Sequence, residues 1–423
     1  KRAAGPQRPD VMAYLPNDMD VVQIGMHVAK IDVAWFRSPF MRHSFLIRTD
    51  EQIEKLRRAG VKHLSIDPAK GLDLPGTPAS TPDESNLVVQ PSPTPAQSTP
   101  NVRSLAAMTQ ELLTARTARA QLEASVQNTF SRIAQTGVVD PEEATHTVHA
   151  ISAVAQALNT HALFMAFNQG RAGNAPLSQH ALASCSFSMI LAHAADYNLL
   201  AIQELATGAL LHDIGLIQVP PNVLQRIHDT STTLSEQNRR TYEAHARGGA
   251  ILLERRNGFS PAVEEIVAEH HAYLNGSGFP AETGGAFTSD MTRIVMVTDR
   301  YDELLTGFGG ASPLTPHQSL QRLYQEGQEG KYDTRLISLF VKVMGIYPVY
   351  SYVSLTTGER AIVSVINSGK LHQPIVTITH DPSGEPYIVP LVIDLANQDT
   401  EAPPRGIRSV LGTIPAEFER AFH

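Results

Sequence analysis

Cysteine is nearly missing from this 423-residue chain: Cys185 stands alone, which excludes a disulfide framework and a thiolate zinc cluster within the chain. A lone thiol five residues after His180 reads as a small packing residue. No uninterrupted apolar stretch approaches the roughly 18 residues of a membrane span. The basic start, Lys1-Arg2, is not followed by the apolar core of a signal peptide. A cytoplasmic protein without a membrane span is the expectation. Surplus positive charge is also absent, with 34 Lys and Arg against 42 Asp and Glu and a formal net charge of −8. That balance argues against broad electrostatic binding to DNA or to anionic membranes. An anionic substrate would have to be held by something other than net charge.

What is present is an ordinary globular composition, 42% apolar and 18% charged, long enough for two or three domains. Seven of the 28 prolines fall between Pro75 and Pro100, in a segment otherwise rich in Ser, Thr and Gln. Such a segment lacks the apolar side chains that would offset its ordering entropy, so residues 71–104 read as a linker. Before it, residues 11–70 read as a small α+β domain, with strands over Val21 to Ile31, Ser44 to Ile47 and Val61 to Ile66 and a helix from Asp50 to Ala59.

After the linker, residues 105–345 carry helical periodicity. Leu105, Met108, Leu112, Ala115, Leu122, Val126 and Ile133 follow three-four spacing, with Arg119 and Thr129 interrupting the seam. This is either a core face or, less simply, a homodimer contact through the helix from Leu105. Asp140-Pro141 reads as a cap and first residue of the next helix, and Ser178 as the cap of another. From residue 346 to 400 β-branched alternation returns as a small β-rich subdomain, and 401–423 reads as a tail. The fold class expected is multidomain and mainly α.

Histidine is plentiful, with 17 residues, and the central helical region holds His180, His212-Asp213, His245, His270-His271 and Asp299. Imidazole and carboxylate suit borderline divalent cations such as iron, manganese or zinc. Each adjacent pair is read as lying inside an apolar helical run, with Ala209-Leu210-Leu211 before one and Ile266-Val267-Ala268 before the other, so that two helices would turn four ligands inward. A buried cluster of this kind is costly without a cation to organise it. His146 and His149, one turn after Glu142, form a second metal-like face, but histidines at that spacing on a polar face are usually solvated.

Leu210-Leu211-His212-Asp213-Ile214-Gly215, then Val219-Pro220, Glu269-His270-His271, Gly276-Ser277-Gly278-Phe279-Pro280 and the run from Arg293 to Asp302 resemble the HD-GYP branch of the HD superfamily of metal-dependent phosphohydrolases, in family order. The N-terminal block, with Gly25-Met26 and Trp35 to Phe40, is similar to an uncharacterised domain that often precedes such modules in bacterial proteins. The resemblance implies a helical bundle that hydrolyses cyclic di-GMP to the linear dinucleotide or GMP. It implies His180, His212, Asp213, His245, His270, His271 and Asp299 as ligands of divalent cations, iron or manganese first, with zinc, nickel or magnesium as alternatives. Asp213 would bridge two cations, and a hydroxide shared between them would attack the phosphodiester, with His212 and Asp213 at the catalytic centre.

Where the family can carry a glutamate for a third metal, this chain has Pro176, so two metals are expected. The lysine that usually follows His-Asp-Ile-Gly is Leu216, the glutamate after the paired histidines is Ala272, and the aspartate of the following Asp-Gly is Asn275. Phe279 replaces the tyrosine of Gly-Tyr-Pro. A basic Arg-Pro-Tyr element is replaced by Thr306 to Ser312, leaving Arg293 and Arg300 as phosphate partners. The loop Gly276, Gly278, Phe279 and Pro280 is read as a lid or partner surface, which in the family has been linked to diguanylate cyclase (GGDEF) domains. Two other readings stay open: a degenerate HD-GYP module acting as a signalling scaffold, and an HD phosphohydrolase for another nucleotide.

Overall fold

The computed structural model describes residues 13–16, 22–31, 45–58, 63–66, 103–168, 177–228, 235–255, 258–280, 288–310, 312–398 and 403–415. The linker prolines, Gly60, Trp35 to Phe40, Pro176 and residues 401–402 and 416–423 of the tail lie outside them. The chain forms two compact units, residues 1–100 and 101–423.

The first unit is an antiparallel sheet of β1 (Ala13–Pro16), β2 (His27–Ile31), β3 (Phe45–Leu46) and β4 (His63–Ile66), in the order β1-β4-β2-β3, with helix α1 (Asp50–Arg58) between β3 and β4. Strand β1 precedes the segments the periodicity marked; four residues ending on a proline carry too little alternation to stand out. Val28, Ile47, Leu56 and Ile66 are fully buried and form the interior.

The second unit is mainly α. Helix α2 (Leu105–Thr136) starts on Ser104, whose hydroxyl accepts from Ala107 N, and stops at Gly137 in the left-handed conformation. Its seam serves two cores within the chain. Met108, Leu112 and Ala115 pack with Val349, Tyr350 and Ile362, while Leu122, Val126 and Ile133 enter the main core. Between the two, Arg119 pairs with Glu123 and donates to Ala166 O. A homodimer through α2 would therefore need a face other than this seam.

The helices that follow are α3 (Pro141–Ala157), α4 (Thr160–Asn168), α5 (Leu177–Ala194), α6 (Leu199–Leu211), a 3₁₀ turn (Ile214–Gln218), α7 (Pro221–His228), α8 (Glu236–Glu254), α9 (Pro261–Glu269), α10 (Asp290–Thr306), α11 (Pro316–Gln328) and α12 (Thr334–Met344). Asp140 caps α3 with Pro141 inside it, as expected. Ser178 does not cap α5. The helix already includes Leu177, and the buried Ser178 hydroxyl donates to Gln127 of α2. Almost all of α5 is buried, so it runs through the middle of the unit. Phe164, Phe187, Tyr301 and Phe340 stack around it with ring centroids 5.1–6.4 Å apart. The stretch Leu199–Gln218 is apolar and long enough to cross a membrane, but most of it is buried inside the protein, as in a core helix.

The chain ends in an antiparallel sheet of β5 (Ser351–Leu355), β6 (Arg360–Val365), β7 (Ile375–His380), β8 (Pro386–Asp394) and β9 (Ile407–Thr413), in the order β8-β7-β6-β5-β9. The tail read from residue 401 thus supplies an edge strand paired to β5. Gly412 and the polar residues around it hide its alternation.

Candidate metal centre

Both adjacent pairs sit where a helix ends. His212 is the C-cap of α6 and His270 that of α9. An unbroken helix would turn neighbouring side chains about 100° apart. At the terminus the chain can change direction between two residues. Asp213, at φ −100° and ψ 10°, leaves the helical path and opens the 3₁₀ turn. The expectation of pairs inside helices is corrected in this detail.

One rule orients the rings. His212 Nδ1–H donates to Ala209 O at 2.8 Å, His245 Nδ1–H to Tyr242 O at 2.7 Å and His270 Nδ1–H to Val267 O at 3.0 Å, each carbonyl three residues back. A carbonyl can only accept, so Nδ1 carries the hydrogen and the Nε2 lone pair of the neutral ring is released. His180 uses a carboxylate instead, with Nδ1 2.8 Å from Asp302 Oδ2. This is the support that metal-binding histidines usually have.

The released Nε2 atoms converge. His180 and His212 bring theirs to 3.2 Å, and His245 and His270 theirs to 3.3 Å. Asp213 lies between the two sets, with Oδ1 3.0 Å from His245 Nε2 and 3.4 Å from His270 Nε2, and Oδ2 3.5 Å from His180 Nε2 and 3.6 Å from His212 Nε2. Asp299 Oδ1 closes the His180 side at 3.0 Å, and is 3.4 Å from His212 Nε2. His271 joins the Asp213, His245 and His270 group. All seven residues are buried.

This arrangement fits divalent cations. Lone pairs facing each other repel, but 3.2 to 3.3 Å is the gap that two nitrogens keep when each lies about 2.1 Å from one cation and they subtend about 100°. Among the described residues, Asp213 Oδ1 and His271 Nε2 are buried without a hydrogen-bond partner, as ligand atoms aimed at a cation would be. Six of the seven form two overlapping groups that share Asp213, and Asp299 adjoins the group of His180 and His212.

Electrostatics agree with that geometry. Burial alone would raise Asp213 and Asp299, yet His212 and His245 beside the first, and His180 and His212 beside the second, hold both carboxyls well below their usual range. Burial alone would lower His180, but Asp299 and Asp302 raise it well above the ordinary imidazole value, and Asp213 likewise raises His212. On the other side burial dominates and lowers His270, and lowers His271 further with the help of His270.

The surroundings are aromatic. Phe308 stacks on His180, centroids 4.1 Å apart at 11°, and Phe279 covers His271 at 4.5 Å. The loop before Phe279 is tied back by Phe279 N donating to His271 O and by Tyr273 N donating to Ser277 O. Gly278 has φ +94°, and a Cβ there would stand 2.1 Å from His271 O, so only glycine fits. Gly276 also has positive φ, and Pro280 follows Phe279 through a cis bond. The loop therefore forms a wall of the centre.

The cations expected to meet phosphate behave differently. Arg300 donates Nε and Nη2 to Glu326 and Nη1 to Glu303, all at 2.8 Å, so each of its nitrogens is committed to a carboxylate. Arg293 lies near the start of α10, 3.7 Å from Asp290 and 3.8 Å from Asp333. Leu216 and Phe308, which replace basic positions, are buried in one apolar cluster with Val219, Val223 and Ile227. The two departures compensate each other.

Sequence reasoning missed three groups. Asp302 orients His180; its spacing of three from Asp299 on one helix face was a usable signal. Glu303 lies one turn beyond Asp299, and burial with the charge of Asp299 pushes its carboxyl up to about 7. Tyr242 is partly buried with its ring 4.9 Å from that of His245, and desolvation with the charge of Asp213 raises its hydroxyl well above the ordinary value. Neither Glu303 nor Tyr242 stands in a pattern that spacing alone reveals. His146 and His149 are exposed and lie outside the centre. Cys185 is buried with its thiol donating to Ala206 O, as a packing residue.

Comparison with known proteins agrees with the geometry. The chain is 26% identical over 375 residues to the cyclic di-GMP phosphodiesterase PA4108 of Pseudomonas aeruginosa, covering 88% of this chain and 87% of that protein. It is 28% identical over 148 residues to a cyclic di-GMP phosphodiesterase of Vibrio cholerae, covering 34% of this chain and 29% of that one. Among solved structures, Bd1817, an HDG"Y"P protein from Bdellovibrio bacteriovorus, aligns at a TM-score of 0.44 and 16% identity, covering 78% of this chain and 98% of that one. Residues 18–144 match a domain of unknown function (DUF3391). Residues 100–336, more than half of the molecule, match the HD domain, a metal-dependent hydrolase fold, and the chain belongs to that family.

Proposed function

We propose that this protein is a cyclic di-GMP phosphodiesterase that uses two divalent cations, iron or manganese, to hydrolyse the phosphodiester to the linear dinucleotide or GMP in the cytoplasm. The observation that carries this reading is the sharing of Asp213 between two buried ligand groups. His180, His212 and Asp299 would hold one cation and His245, His270 and His271 the other, with Asp213 common to both. Cations bound there would supply an activated water and neutralise phosphodiester charge. The chain's own contribution is to fix each Nε2 through a hydrogen bond at Nδ1, to keep Asp213 ionised, and to exclude bulk water with Phe279 and Phe308. The loop from Gly276 to Pro280 remains the candidate surface for a GGDEF-domain partner.

The test is reconstitution of the full chain with Mn²⁺ or Fe²⁺ under anaerobic conditions, metal analysis, and separation of the products formed from cyclic di-GMP. Turnover that disappears in Asp213→Ala is expected. Turnover that survives that substitution would refute the chemistry. A second reading, a metal-binding scaffold without activity, is favoured by the commitment of Arg300 to Glu303 and Glu326. Full metal occupancy with no hydrolysis of cyclic di-GMP, the linear dinucleotide or a generic phosphodiester would select it, whereas hydrolysis of a different nucleotide in a substrate panel would select an HD phosphohydrolase of altered specificity.

A further inference from the structure

With Arg300 committed and Leu216 and Phe308 apolar, a nucleotide needs another grip. A cavity of about 410 Å³ lies between the 3₁₀ turn and α8 and is lined by Gln218, Gln237, Arg240, Thr241 and His245. Small-molecule sites run from about 300 to 1,000 Å³, so this one suits a single nucleoside unit better than a whole cyclic dinucleotide. One wall is a stripe down α8. Gln237, Thr241, His245 and Gly248 follow each other at intervals of four, four and three residues, from the cavity mouth to a residue of the metal centre. A Cβ on Gly248 would stand 3.3 Å from Gln218 Oε1, so the glycine leaves that amide its room.

Among the described residues the lining contains no carboxylate. Two amides and a hydroxyl offer both donors and acceptors, and Arg240 offers donors alone. Apart from His245 of the metal centre, that set matches a purine edge together with a phosphate or its ribose. Arg240 donates Nε to Glu236 Oε1 at 2.8 Å, and its two Nη atoms make no further hydrogen bond among the described residues.

We propose that this cavity is a nucleoside subsite, receiving one purine arm of a cyclic dinucleotide while the scissile phosphodiester lies over the cluster. Gln218 and Gln237 read the base, and Arg240 with Thr241 holds the sugar-phosphate. The proposal rests on the phosphodiesterase reading for the position of the scissile bond, and its test does not depend on turnover.

The metal-reconstituted full chain is titrated calorimetrically with a non-hydrolysable phosphorothioate analogue of cyclic di-GMP. Gln237→Ala and Arg240→Ala are compared with the unmodified chain; both positions are exposed on α8. Each variant is expected to bind about tenfold or more weakly, with metal content and melting temperature unchanged. Equal affinity in both variants, or no binding of the analogue by the unmodified chain, overturns the subsite. Weakened binding in the variants of a chain that hydrolyses nothing leaves the subsite standing and removes the phosphodiesterase reading. Hydrolysis of cyclic di-GMP with undiminished binding in both variants does the reverse.

Discussion

Inside the cluster, His180, His212, His245 and His270 each have one ring nitrogen tied to the chain and the other turned to the centre. At the rim the cationic side chains are turned away. Arg300 closes on Glu303 and Glu326, and Leu216 packs with Phe308 where basic residues were expected. The two regions share helices: α10 carries both Asp299, which faces the histidines, and Arg300, which does not. Metal affinity and substrate affinity should therefore respond to different substitutions.

The largest effect is expected from Asp213→Ala. Both ligand groups lose their common member, and six buried ligands are left without the carboxylate that offsets their charge. Metal content should fall for both cations and turnover should drop by at least about a thousandfold. A variant that keeps one tightly bound equivalent by elemental analysis would show that the two groups are independent.

Asp302→Asn comes next. The carboxylate holds His180 Nδ1 at 2.8 Å, and changing such a support commonly costs 10- to 100-fold in metal affinity or activity, as an order of magnitude. Competition with a chelator would measure the loss, which should fall on the cation held by His180. An equal loss of both cations would contradict the division of the cluster into two groups.

The cluster and its rim were not equally legible. His180, His212, Asp213, His245, His270, His271 and Asp299 stand in ordered motifs, and the fold brings all seven together because each pair terminates a helix of the same buried layer. The rim depends on which residue each side chain meets. Nothing in the spacing of Arg300 announces Glu326, 26 residues away on another helix, and the joint burial of Leu216 and Phe308 is a tertiary event. Strands β1 and β9 escaped for a different reason, being short or interrupted by residues that break alternation.

Arg300→Ala separates stability from binding. Glu326 is left with the exposed Arg322 as partner, and Glu303 loses its own. Removing one member of a largely buried ion pair costs on the order of 3 kcal/mol, so denaturant unfolding should show a clear loss. The affinity for cyclic di-GMP should change little. A large rise in KM with undiminished stability would return Arg300 to the substrate.

Acidity should act on the cluster with a definite sign. His180 and His212 titrate above their unfolded value in the metal-free protein, so their contribution to stability is full below about pH 6.5 and is lost as pH rises through the folded values. Asp213 and Asp299 titrate below theirs, so their contribution is present above about pH 4 and is lost as pH falls through the folded values. Cation binding needs the imidazoles neutral and so releases protons. The melting temperature of the metal-free chain should fall between pH 6.5 and 8.5, while the increment gained on adding Mn²⁺ grows. A constant increment across that range would mean that the histidines are already neutral before the cation arrives.

The smallest effect belongs to Arg293→Ala, and it bears most directly on the rim. Its contacts to Asp290 and Asp333 are 3.7 and 3.8 Å, beyond a hydrogen bond, and Asp333 has a closer partner in Arg335 at 2.8 Å. Loose pairs of this kind contribute up to about 1 kcal/mol, so the unfolding midpoint should move only slightly. If substrate recruits Arg293, the variant will show a raised KM at nearly native stability, and the rim will have one working cation after all. If KM and stability both stay near native values, the positive charge that meets the phosphodiester must come from the cations of the cluster and from Arg240, and the separation between the metal-binding cluster and the Arg293 and Arg300 side of its rim stands.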